Sequence, residues 1–594
     1  MNLEKIQNKL EREMLEDVNK DGSLQTYIEN MSKGVRLSGS QDEAAAFAYA
    51  QAEMEKLGLK TQLLYGDAYI SWPLSAQITA DGKAYPAITH SMAAPTAGTT
   101  AESIYLGKAA QVDYSQCDVQ GKIVMLNGLS MGANVKNAQD AGAAAVIFIN
   151  AEYTNEGICS YVWGSPTPAD LELLPKIPVA SVNYATGLEL QELLKAGKSK
   201  ITLETQVKTE WMQIPTLIAE LEGTVEKDKY LLMSGHIDSW HLGALDNGAG
   251  TAVMLETARI LSKHREQLRR SVRFAFWSGH SHGRYAGSTW YCDHHFEDLY
   301  DNCFLHVNSD CLGGVGSTIM TEGNCMPETR ELGGKVIKEL TGQDYEGARF
   351  TRSGDQSLWG TGTPSLFMGL SEQPLPTEMG VAAEAFAGLF GGGKTGGFGW
   401  WWHTEKDTLE IIDMECLVRD CSVYLLSVFR ACSAQVIPID HLSAVKAMRA
   451  DLEEYAAKVG DKLDMSLTLS RINELCKAVN FVFNECDYCR GTRVPPTEAD
   501  KEWEELFIID INETSMELSR ILVPLSFVRG NIYEHDTTLK APHIPLLEEI
   551  NKLAELEQGS DAFKSQSVLV RRRLNQVNHA LLKAIRLLGE GCEC

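Results

Sequence analysis

No apolar run in this 594-residue chain approaches the roughly 20 residues that a helix needs to cross a bilayer. A membrane-spanning role is therefore not expected. The first ten residues, Met1 to Leu10, are charged from the start and lack the apolar core of a secretory signal, which sets a cytoplasmic location as the expectation. Basic residues are scarce: 54 Lys and Arg stand against 80 Asp and Glu, a net charge of −26. That balance argues against nucleic acid or an anionic membrane as the main partner and favours solubility. No internal repeat is evident. Cysteine, by contrast, is present 14 times, mostly in apolar contexts that suit buried free thiols. Cys486 with Cys489 and Cys592 with Cys594 form two close pairs of the kind that hold structural zinc. The second pair sits at a chain end, and neither is assigned to a metal site.

The 44% hydrophobic content is ordinary for a globular chain, and the length calls for several domains. Residues 1–65 read as helices, with a clear amphipathic one over Glu43–Leu57 stopped by Gly58. Short strands are expected over 66–95. Strands are expected near 119–126, 143–149 and 177–182, with helices over 134–141 and 187–194. From 210 to 432 strands near 230–233, 272–277, 303–309 and 364–368 alternate with helices near 249–263, 284–292, 328–340 and 414–432. This pattern predicts a doubly wound α/β domain. The run Val272-Arg-Phe-Ala-Phe-Trp277 is apolar enough to lie central in its sheet. From about 436 onward the chain is mostly helical. The glycine-rich stretch Phe386–Gly399 suggests a tight or mobile loop beside a site.

Chemistry concentrates after the strand near 230–233. There the chain reads Gly235-His-Ile-Asp238 and then Gly243-Ala-Leu-Asp-Asn-Gly-Ala-Gly250. His236, Asp238 and Asp246 thus lie on a strand-end loop, where ligands collect in open α/β sheets. One imidazole and two carboxylates suit a borderline divalent metal such as zinc. Asp310 ends a later strand, and His403 follows Trp400, Trp401 and Trp402. Alone, each of these two reads as a turn, cap or packed residue.

In this order, His236-x-Asp238, Asp246-Asn-Gly, Asp310 and His403-Thr-Glu-Lys-Asp407 resemble the two-zinc exopeptidases that include bacterial aminopeptidases and glutamate carboxypeptidase. The resemblance implies that Asp246 bridges two zinc ions, that His236 and Asp310 complete one metal, and that His403 serves the other. Asp238 falls at the position that orients the ligand histidine. Val119-Gln-Gly-Lys-Ile-Val124, Ala141-Gly-Ala-Ala-Ala-Val-Ile147 and Pro175-Lys-Ile-Pro-Val179 resemble a protease-associated domain. The expected architecture is a mixed-sheet, doubly wound catalytic domain over 1–95 and 206–435. A protease-associated α/β insert occupies 96–205, and a helical domain over 436–594 resembles a dimerisation domain, so a homodimer is expected.

One motif is missing. After the strand ending at Trp277 the family places Glu-Glu, a general base followed by a zinc ligand. Here the chain reads Ser278-Gly-His-Ser-His-Gly-Arg-Tyr285, with no glutamate. Alignment from the strand puts His280 at the base position. Alignment back from Gly287 puts Ser281 there and His282 at the ligand. A one-residue insertion reconciles the two frames, with His280 as base and His282 as ligand. Imidazole suits both tasks. Arg284, Tyr285 and Arg352 are candidates to meet an anionic substrate group, as is Arg349. The segment around Asp355 matches the family's substrate-pocket lining. The implied function is hydrolysis of a small peptide or N-acyl-amino-acid amide bond with one or two zinc ions, manganese or cobalt being open alternatives. The alternative is an inactive homologue that acts as a dimeric binding protein.

Overall fold

The computed structural model describes residues 3–374, 397–485 and 498–590. Both cysteine pairs and most of the glycine-rich stretch lie outside these residues.

Eleven strands form one mixed sheet. The central part contains β1 (Lys60–Ala80), β7 (Lys200–Leu221), β8 (Glu226–His236), β9 (Arg270–Trp277), β10 (Cys303–Asn308) and the short β11 (Ser365–Leu366). β8 runs parallel to both β9 and β10, so their carboxyl ends share one edge. Side chains alternate across this layer, as the two-residue strand period requires. Leu231, Met233, Val272, Phe274 and Phe276 face a core shared with the helices Gly250–Lys263 and Met414–Ser433. Tyr230, Leu232, Ala275 and Trp277 face a second core with Tyr291 and Leu299. Both faces are covered, which accounts for the unbroken apolar run over 272–277.

β1 and β7 pair over some twenty residues and carry the insert on their outer ends. There β2 (Lys83–Thr89), β6 (Val179–Val182), β5 (Ala145–Ile149), β4 (Ile123–Asn127) and β3 (Thr96–Lys108) follow one another. β2 pairs with β6 of the insert, so the insert's sheet begins ahead of residue 96. The short strands expected over 66–95 are in fact one 21-residue strand and a hairpin partner.

The C-terminal unit is helical. His441–Val459, Ser466–Asn480, Glu498–Phe527 and Asp561–Glu590 bury Val445, Leu452, Leu475, Leu522 and Leu581 in a core of their own. Buried Arg520 ties this unit to the central sheet by donating to the carbonyls of Tyr300, Gly362 and Cys303. No described helix is long and apolar enough to cross a membrane.

Candidate metal centre

His236 closes β8, and the loop beyond it is held by Arg36. This fully buried guanidinium donates to the carbonyls of Ile237, Leu242 and Gly243 at 2.6, 2.6 and 2.9 Å. Gly243 has φ +56, and a Cβ there would lie 2.3 Å from the Asp246 carbonyl oxygen. Only glycine lets the loop fold back this tightly. Asp407 fixes the far side by accepting from the backbone N–H groups of Leu245 and Asp246 at 2.7 and 3.0 Å. Burial and the neighbouring Asp246 charge push the Asp407 carboxyl up to about 7.

These constraints aim Asp246 between two histidines. The His236 Nδ1 donates to the Asp238 carbonyl at 2.9 Å, which leaves Nε2 for a proton or a cation. That nitrogen faces Asp246 Oδ1 at 3.1 Å and Asp310 Oδ1 at 3.5 Å. The other oxygen of Asp246, Oδ2, lies 3.0 Å from His403 Nε2. The His403 Nδ1 donates to the Glu156 carbonyl at 2.8 Å, so in the neutral ring Nε2 is a bare lone pair. Acceptor faces acceptor on this side of the carboxylate, and on the other side two carboxylates crowd one nitrogen. A divalent cation on each side would turn both contacts into coordination. The residues therefore fit a metal site.

The electrostatics agree. Burial pushes the His403 pKa down despite the Asp246 carboxylate, so the ring is neutral. Burial acts the same way at His236, but Asp310, Asp238 and Asp246 outweigh it and raise its pKa well above the imidazole range. The cluster calls for positive charge at that point. Ligand atoms of His236, His280 and Asp310 lie within 4.8 Å of one another, as do those of Asp246, Asp310 and Cys311. Cys311 follows Asp310 directly, yet nothing in a single buried cysteine marks it in the sequence.

Asp238 is fully buried and braces the turn that replaces the missing glutamates. It accepts from the Ser38 hydroxyl at 2.9 Å and from the backbone N–H groups of Ser281 and His280 at 2.8 and 3.3 Å. The His280 ring stacks on that of His236, centroids 3.7 Å apart and 12° from parallel. Parallel planes keep the two in-plane lone pairs from converging on one ion. His280 is thus poorly oriented to share the ion of His236. Its Nδ1 is 2.6 Å from Asp355 Oδ2.

Several expected roles change. Asp355 is buried and engaged with His280 and Ser288, so it orients a histidine instead of lining the substrate pocket. Arg284 donates through Nε and Nη2 to the carbonyls of Ser160 and Ile158, and Arg352 pairs with Asp536 at 2.8 Å. Both guanidinium groups hold domains together. Tyr285 packs against Trp163 and His280 at the cavity wall. His282 is buried against Trp240, with Nδ1 3.0 Å from the Ser38 hydroxyl and Nε2 without a partner. Among the described residues it joins neither group of ligand atoms. Burial pushes its pKa down to about 4.

The centre opens into a cavity of about 1020 Å³ bounded by all three parts of the chain. The insert supplies Ser130 and Asn134, the central unit Trp240 and Arg349, and the helical unit Phe527 and Lys540. The insert also reaches the metal ligands. Asn155 donates to the Trp402 carbonyl at 2.6 Å, and the Glu156 N–H donates to the His403 carbonyl at 2.8 Å.

Residues 216–425 match the peptidase family M28 profile, and residues 88–190 match the PA domain profile. Aminopeptidase YwaD of Bacillus subtilis is 25% identical over 428 residues, covering 71% of this chain and 86% of that protein. Probable glutamate carboxypeptidase VP8 of Zea mays is 23% identical over 364 residues, covering 50% of this chain and 51% of that protein. The match thus spans about half of the maize protein's length. A peptidase M28 precursor from Shewanella amazonensis SB2B shares the fold with a TM-score of 0.56 at 18% identity, covering 72% of this chain and 97% of that one.

Proposed function

Since residues 216–425 form a peptidase family M28 domain and residues 88–190 a PA domain, we propose that the chain is a metal-dependent exopeptidase or amidase acting on short peptides or N-acyl amino acids. One observation carries this reading. The Asp246 carboxylate lies between two imidazole Nε2 atoms, 3.1 Å from His236 and 3.0 Å from His403. His236, Asp246 and Asp310 would hold one ion, and Asp246 with His403 a second. Zinc is the favoured ion, in keeping with a mixed imidazole and carboxylate donor set. When bound, it supplies a Lewis acid that polarises an amide carbonyl and makes water more acidic.

The chain's own residues supply the rest. The His280 Nε2 is left to accept a proton, because Nδ1 is committed to Asp355. Transfer of that proton to the leaving amine would complete cleavage of the C–N bond, with water adding to the acyl carbon. Asp238 keeps the turn bearing His280 beside the loop bearing His236. Trp240, Trp402 and Tyr285 form aromatic parts of the cavity wall. The helical unit, which exposes Phe481, Trp503 and Leu506, is the candidate contact for a homodimer, which sedimentation velocity would test.

The missing glutamate pair favours one other reading, a homologue that binds without turnover. A library of dipeptides and N-acyl amino acids separates the two. Metal-stripped protein is incubated with zinc, manganese or cobalt, and the products are read by mass spectrometry. Metal-dependent cleavage is the expected result. Silence with all three metals would favour the binding protein.

A further inference from the structure

The cavity wall departs in charge from the rest of the chain. The protein carries a net −26, yet the cavity is lined by five Lys and Arg side chains and by only three acidic ones, Glu156, Asp246 and Asp310. Asp246 and Asp310 are the carboxylates that face the histidines of the metal centre. The cations differ in how they are used. Arg284 is turned toward the insert, its Nε and Nη2 donating to backbone carbonyls of Ser160 and Ile158, and Arg352 has its carboxylate in Asp536.

Arg349 is different. Its Nη2 donates to the Ser526 carbonyl at 2.6 Å and its Nη1 to the Ser526 hydroxyl at 3.3 Å. Its guanidinium lies over the Phe527 ring, 3.8 Å from the centroid. It forms no ion pair with any described residue. Asp451 and Glu328 act on its charge without pairing with it, and a guanidinium held in plane by an aromatic face and one serine is preorganised for a planar anion. Lys540 of the helical unit adds charge to the same cavity.

We propose that Arg349 is the specificity residue of the cavity and anchors a carboxylate of the substrate, so that the chain prefers ligands bearing a free carboxylate to the corresponding amides. This rests on the reading of the cavity as a substrate pocket. The helical unit then has a direct part in recognition, since Ser526 and Phe527 fix the guanidinium.

Calorimetric titration of the full zinc-loaded chain tests this without requiring turnover. The probes are N-acetyl-leucine, with an α-carboxylate, N-acetyl-glutamic acid α-amide, with a side-chain carboxylate, and N-acetyl-leucinamide, with neither. Wild-type protein should bind at least one carboxylate probe about tenfold more tightly than the amide. The tighter of the two names the source of the carboxylate. Arg349→Gln should abolish that preference while zinc content and amide binding stay unchanged, and Arg349→Lys should restore part of it. Equal binding of acid and amide by the wild type would overturn the proposal, whatever the variants do. So would a preference that survives Arg349→Gln. Acid-selective binding without hydrolysis of any library member would contradict the proposed reaction and leave this anchor standing.

Discussion

The Asp355 carboxylate lies 2.6 Å from His280 Nδ1, and its other oxygen accepts from the Ser288 hydroxyl at 2.8 Å. In the proposed reaction the carboxylate keeps the proton on His280 Nδ1 and so leaves Nε2 as the nitrogen that accepts one.

Removal of that partner should slow the reaction without emptying the site. Asp355→Asn is expected to lower kcat about 100-fold with little change in KM or zinc content, and Asp355→Glu to recover part of the loss. Steady-state kinetics beside elemental analysis checks this. Loss of zinc together with turnover would show instead that Asp355 maintains the fold of the site.

The insert should matter for metal retention. Asn155→Ala removes the 2.6 Å bond to the Trp402 carbonyl and loosens the segment that carries His403. Outer partners of ligand histidines commonly tune affinity about 10–100-fold, and a loss in that range is expected. Competition against a chromogenic chelator measures it, and an unchanged affinity would contradict the role given to the insert.

Legibility followed locality. His236, Asp238 and Asp246 sit within eleven residues of one another on one strand-end loop, so their convergence could be read from the chain. The helices Gly250–Lys263 and Met414–Ser433 fall within two residues of the spans that periodicity predicts. Strand-end Asp310 and His403 became legible only through the order of the motifs. What stayed hidden depends on long-range contact. Arg36 clamps a loop 200 residues away, and Glu156 orients His403 through its backbone carbonyl, which leaves no residue-type signature. Arg284 and Arg352 looked like anion sites because an arginine beside a motif carries the same letter whether carbonyls or a substrate fill it. The single strand over 60–80 crosses the boundary at which helices were expected to give way to short strands, and it holds Gly66 and Pro73, residue types that weaken a strand signal.

A pH-dependent stability difference should follow from Glu156. Burial pushes its carboxyl from 4.5 up to about 8. Below pH 4.5 the folded and unfolded states both hold the proton, and no penalty arises. Between 4.5 and 8 only the folded state does, so stability falls as the pH rises through this window and levels off above it. Glu156→Gln should therefore raise Tm relative to wild type at pH 8 but not at pH 4.5. Thermal melts at the two pH values decide, and a Tm difference that does not grow with pH would contradict the assignment.

The Arg36 clamp should be costly to remove. Arg36→Met leaves the buried carbonyls of Met31, Ile237 and Gly243 without their donor. Each unsatisfied group costs about 1–3 kcal/mol, so a loss of at least about 3 kcal/mol is expected by chemical denaturation. A loss under about 1 kcal/mol would show that the loop around Asp246 is held by other means.

The central claim is that Asp246 holds metal between His236 and His403. It is tested most directly by zinc titration of metal-stripped wild type and Asp246→Asn, with hydrolysis followed on the same samples. The account predicts that wild type takes up zinc tightly and gains amide hydrolysis in step with uptake, whereas the variant does neither while keeping its fold by circular dichroism. Zinc uptake by Asp246→Asn equal to that of wild type, or wild-type hydrolysis that persists after the metal is stripped, would contradict it.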